Sequence, residues 1–178
     1  MAALSPTLLT TQNGIQNPRQ VFLIDHGTHT SLAIETRDQT LIRYAYGDKN
    51  YYAKRDTSLA SGANALLIPT PAVLARGELK ATAEVESIID ALPVVVQKVY
   101  HLQVEASRAE ELISDLDGIY LKAGNELIEV PAYGLNFAPH PDNYYWANNS
   151  STMIASWLRQ MGIRTFCLGA IASWRVLE

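Results

Sequence analysis

Alternating and short continuous apolar runs dominate the first half of the chain. Residues 21–25 (VFLID) form a compact apolar run of the kind that makes a buried strand. Residues 29–36 (HTSLAIET) are a second run, rich in small and β-branched side chains, and 37–39 read as a hairpin turn into 40–46 (TLIRYAY). Gly47 and Asp48 then predict a strand break, and 65–71 (ALLIPTP) a short strand halted by its prolines. Residues 82–92 alternate with helical spacing, and 94–105 are strand-like. Ser107 and Glu110 have the S-x-x-E spacing of a capping box. Behind it Leu112, Ile113, Leu116, Ile119 and Tyr120 make one apolar stripe. Residues 126–137 suggest a hairpin-like strand pair, and 165–177 a final strand or two. Strands come first and helices later, which predicts an α+β fold and not the regular alternation of a Rossmann domain.

The last helix carries the most information. Met153, Ile154, Trp157, Leu158 and Met161 fall at the i, i+3, i+4 spacing of a core-facing stripe. Ser150 lies on the same face, one turn nearer the N-terminus. Asn148 and Asn149 are N-cap candidates and Gly162 is a C′ stop. Ser150 is thus expected in the first turn, where free backbone N–H groups favour negative charge. A nucleophile would be helped there, yet a small residue that merely caps or packs is the ordinary occupant of such a position.

Composition narrows the classes. The chain has 178 residues and a net charge of −4, with no basic run, so a single globular domain is expected and nucleic acid is not an expected partner. Residues 1–19, with Asn13-Gly14 and Asn17-Pro18, read as a flexible arm before a domain spanning 20–178. Cys167 is the sole cysteine and sits among apolar neighbours, where it reads as a small packing residue. No apolar run is long enough to span a bilayer, and the first residues do not form a signal peptide. The chain reads as soluble and cytoplasmic as written, with export left open if a leader was trimmed.

His26 and His29 precede the second strand. A strand edge fixes an imidazole in place, as a general base requires. His29 has Ser31 and Ala33 on its own face, which leaves room beside it, while Leu32 and Ile34 point to the other. H-x-x-H is also half a metal site, but no second His/Cys pair follows, so neither metal nor other cofactor is expected. A histidine hydrogen-bonded within a loop is the plain alternative. Tyr44, Tyr46, Tyr51, Tyr52, Tyr144, Tyr145 and Trp146 could line a cleft, or could close the core at strand ends.

Taken in order, HGTHTSLAIE (26–35), YAYGDKNYY (44–52) and NNSSTMIASWL (148–158) resemble the circularly permuted NlpC-type branch of the papain-like superfamily. The nearest pattern belongs to a bacterial family of unknown function, with H-G-x-H-T, then W-G-D…Y, then N-C-N before a helix. The lecithin–retinol acyltransferase group shares the order. The resemblance spans residues 21–163. It implies an antiparallel sheet bearing the histidine, packed on a helix with the nucleophile at its start. His29 matches the family's catalytic histidine, Ser150 its cysteine, and Asn149 the asparagine before it. Asp48, or Tyr44 or Tyr46, would orient the imidazole. Serine in place of cysteine is a departure, because a hydroxyl is a far poorer nucleophile at neutral pH. An engineered replacement, a natural loss and a working serine are the three readings.

The leading expectation is a scaffold of the papain-like hydrolase or acyltransferase kind acting on an amide or acyl bond. A small peptide or acyl-bearing substrate would meet Ser150, His29 and Asp48 as catalytic residues, and Tyr44, Tyr46, Trp146 and Asn149 as binding residues. The alternative is a non-catalytic module that binds a peptide or partner. An unrelated α+β protein with chance motif matches is the third possibility.

Overall fold

The computed structural model describes residues 7–11, 13–27, 29–53, 68–166 and 173–177, with only the backbone of 52 and 53. Cys167, residues 65–67 of the expected strand, residues 54–62 and the Tyr52 side chain lie outside the described residues.

Seven strands form an antiparallel sheet: β2 (Pro18–Asp25), β3 (Thr30–Glu35), β4 (Leu41–Asp48), β5 (Thr70–Leu79), β6 (Lys98–Glu105), β7 (Ile128–Val130) and β8 (Leu135–Tyr144), in the order β6-β2-β3-β4-β5-β8-β7. The α-helices among the described residues are α1 (Val85–Ala91), α2 (Ala106–Lys122) and α3 (Ser150–Gln160). The fold is α+β, as the segregation of strands and helices predicts.

The period-two pattern divides the core between the two faces of the sheet. Val21, Leu23, Leu32, Ile34, Tyr44, Tyr46 and Leu74 point to the face covered by Leu112 and Leu116 of α2 and by Met153, Ile154, Trp157 and Leu158 of α3. On the opposite face Phe22, Ile24, Ala33 and Leu41 pack under Ile88 of α1. Ala45, Ala75, Leu135 and Phe137 form a separate apolar cluster. Register keeps each set together: Leu32 lies opposite Tyr44, and Ser31 opposite Ala45.

Several expectations need correction. Part of the expected N-terminal arm is ordered structure: β1 (Thr7–Thr10) lies between β10 (Trp174–Leu177), parallel to it, and β9 (Arg164–Phe166), antiparallel. Leu9 is fully buried there, so the short T-L-L-T run finds its partners far along the chain. Gly47 and Asp48 do not break the strand but pair with Val73 and Ala72. Of the described residues in the strand expected over 65–71 only Thr70 and Pro71 are strand, as the start of β5, which runs on to Leu79; Pro71 is tolerated because it sits at the strand start, beside a register shift. The Ser107 capping box does not form, because α2 starts earlier, with Glu105 at the N-cap. The Glu105 carboxylate accepts from the Gln16 and Asn17 N–H groups instead, and Glu110 pairs with Arg19 and Arg37. No helix among the described residues is long and apolar enough to cross a membrane.

Candidate functional site

The start of α3 is built as its sequence predicts. Asn149 is the N-cap: its Oδ1 accepts from Ser151 N at 2.9 Å and Thr152 N at 3.1 Å. Thr152 Oγ1 accepts in return from Asn149 N at 2.8 Å, which completes a reciprocal box. Gly162, with φ of +90°, ends the helix in the left-handed conformation that glycine adopts without strain.

Ser150 is the first residue of that helix and is almost fully buried. Its backbone N–H and its hydroxyl both interact with the Tyr144 phenol and favour its ionised form, although burial dominates and raises the phenol's pKa. Two of the helix-start N–H groups are therefore spent on Asn149 and a third faces Tyr144. A free set of donors for an oxyanion is absent from this part of the described structure.

His26 and His29 belong to a different cluster. Their rings stack at 6.4 Å and line a cavity of about 220 Å³ with Arg43, Ala45, Leu135 and Phe137. Ser31, Arg43 and Ala45 are on the sheet face opposite the Leu32, Tyr44 and Tyr46 positions that α3 covers. The described hydrogen bonds do not join Ser150 to either histidine.

The histidine cluster is wired locally. Gly27 turns the chain after β2 with φ of +90°, and its N–H bonds Asp25 Oδ1 at 2.7 Å. The His26 ring then sits between two strands and a loop: Nδ1 lies 2.8 Å from the Val95 carbonyl, Nε2 3.0 Å from Ser31 Oγ and 3.3 Å from Arg43 Nη2. A carbonyl can only accept, so Nδ1 carries the proton and Nε2 accepts. Arg43 Nε donates to Ser31 Oγ at 3.1 Å, and Ser31 passes its own proton toward His26. Burial, then the nearby Arg43 charge, pushes His26 down to about 4. Burial, His26 and Arg43 push His29 down to about 3. Both rings are neutral at pH 7. A base whose conjugate acid is so strong takes a hydroxyl proton poorly.

The other predicted site residues are structural in their contacts. Asp48 is buried; its Oδ1 accepts from Tyr51 N at 2.7 Å and its Oδ2 from the Thr70 hydroxyl, so it fixes the end of β4, and no described hydrogen bond joins it to an imidazole. Tyr44 donates to Asp117 at 2.7 Å, and Arg76 braces the same carboxylate. Tyr46 donates to the Asn143 carbonyl at 3.0 Å and stacks on Tyr144. Tyr46 and Tyr51, both among the expected cleft residues, also line the cavity beside the histidines. Trp146 is exposed, with Asn149 Nδ2 bonded to its carbonyl at 2.7 Å. Among the described residues no three metal-ligating side chains gather.

Arg43 and Tyr133 were missed by sequence reasoning, and Ser31 was read only as a small neighbour of His29 and not as a hydrogen-bonding partner of His26. The available signal was the alternation of LIRYAY: Arg43 shares a face with Leu41 and Ala45, an interior face of a strand buried on both sides. Compared with protein-family models, with curated proteins and with solved structures, the chain matches none.

Proposed function

We propose that this chain is a non-catalytic recognition module on a scaffold of the kind its sequence resembles. The cavity beneath His26, His29 and Arg43 holds a small ligand or the end of a peptide. What supports this reading is that no described hydrogen bond links Ser150 to either imidazole: Ser150 lies beside Tyr144 at the start of α3, while His29 lines a cavity with His26 and Arg43. The low basicity of both imidazoles supports it further. A concave, mostly apolar pocket with a few polar groups is the usual form of a small-ligand site.

The hydrolase or acyltransferase reading has one observation in its favour: the Tyr144 oxygen is held by the Ser150 amide, where a substrate oxygen could be held at a helix start. A thiol probe separates the two. In Ser150→Cys, alkylation by iodoacetamide is followed across pH, alone and combined with His29→Ala. The recognition module predicts a thiol titrating at or above the ordinary value of about 8.5 and indifferent to His29. A thiol pKa below about 7 that rises in the His29→Ala background would restore the catalytic reading.

A further inference from the structure

The strongest unexplained feature is the charge of Arg43. Its residue is only 4% exposed. The two half-buried arginines among the described residues each have a carboxylate: Arg19 pairs with Glu110 and Arg76 with Asp117. Among the described residues Arg43 has none. Its hydrogen bonds go to neutral acceptors, namely Ser31 Oγ, the Tyr133 carbonyl at 3.1 Å and His26 Nε2. A guanidinium has five N–H donors. Those contacts use three, leaving two for a ligand. A buried cation without a counter-charge is costly, and burial pulls its pKa down to about 10, which still leaves it charged at pH 7.

The cavity sets the chemistry of what could meet that charge. It is lined by Arg43, two imidazoles, three tyrosines and a mostly apolar remainder that includes Val94, Leu135 and Phe137. One guanidinium balances one negative charge. A phosphate dianion would leave an excess charge buried among apolar walls, whereas two N–H donors match the two oxygens of a carboxylate. At about 220 Å³ the cavity is smaller than the roughly 300 Å³ at which drug-sized sites begin, so the occupant is short.

Resting on the recognition-module reading, we propose that the cavity binds a monocarboxylate joined to a compact apolar body, with Arg43 holding the carboxylate and Val94, Leu135 and Phe137 holding the apolar part. The carboxylate belongs either to a free aryl or branched-alkyl acid or to the C-terminus of a peptide with an apolar last residue.

Titration calorimetry of the full chain tests this with matched pairs of probes: 3-phenylpropanoate against 3-phenylpropanamide, and N-acetyl-phenylalanine against its amide. The expected result is at least a tenfold preference for acid over amide in one pair or both. A preference confined to the simple acid assigns a free acid; one that is larger for the acetylated amino acid assigns a peptide end. Arg43→Met should abolish the preference while leaving residual binding of the amide, and Arg43→Lys should retain part of it. Equal binding of acid and amide by the unaltered chain, or no binding of either at millimolar concentration, overturns the proposal without needing either variant to fold. It would leave the thiol test of Ser150→Cys untouched. Conversely, a His29-dependent thiol would retire the recognition module while an acid preference still stood.

Discussion

Mild acid should destabilise this protein through its two neutral imidazoles. An unfolded histidine titrates near 6.5, whereas His26 titrates at about 4 and His29 at about 3 in the fold. Between pH 6.5 and about 4 the unfolded chain therefore binds more protons than the folded one. Stability falls as pH falls through that window and is fully present above it. Each site costs up to about 1.4 kcal/mol per pH unit once the unfolded imidazole is mostly protonated. From pH 6.5 to 5 unfolded-state protonation rises from half to nearly complete, so the pair costs roughly 3 kcal/mol. That is a large share of the ~5–15 kcal/mol that holds a domain together. His140 is also pushed down by burial and acts with the same sign; Asp25, raised by burial, acts with the opposite sign at the acid end. Urea unfolding at closely spaced pH values reads the effect as the slope of stability against pH. Near pH 5 the slope should approach two protons, and His26→Asn or His29→Asn should each remove about one. A slope under one proton, or one that both variants leave unchanged, would refute the assignment of neutral, partly buried imidazoles.

Two further perturbations test the elements around the cavity and the helix. Asn149→Ala removes both side-chain bonds of the α3 cap and should cost about 1–2 kcal/mol in urea unfolding, with Asn149→Ser recovering most of it; a cost under about 0.3 kcal/mol would mean that the cap is not formed in solution. Leu9→Ala should cost about 2–5 kcal/mol if β1 is docked as described, whereas a flexible arm would lose almost nothing.

The β2–β3–β4 meander is legible because its apolar positions alternate cleanly and its turn at 37–39 is short. Helix α3 is legible because the stripe, the Asn149 cap and Gly162 all agree. Strand β5 is not: A-R-G-E interrupts its apolar run, Pro71 argues against a strand, and Gly77 is set by a distant neighbour. A Cβ on Gly77 would lie 2.2 Å from the Gly134 carbonyl oxygen, a close approach that no local pattern reveals. The candidate site divides in the same way. His26 and His29 stand out by residue type, and Asn149 by its position before a stripe. Arg43 becomes notable only when register puts it beside Ser31 and under His26. Likewise, Ser150 and Tyr144 look like independent cleft residues until the length of β8 carries the phenol to the helix start. Register and strand length are set by tertiary pairing, so neither could be read from spacing alone.

The small sheet has a consequence for how the protein is made. β1 is its central strand, but both neighbours, β9 and β10, are encoded far downstream. During translation the first strand leaves the ribosome with nothing to join, and Leu9 waits exposed while the large sheet can already assemble behind it. Closure of the small sheet is therefore a late event that follows synthesis of the C-terminal strands, and until then its apolar face is available to chaperones.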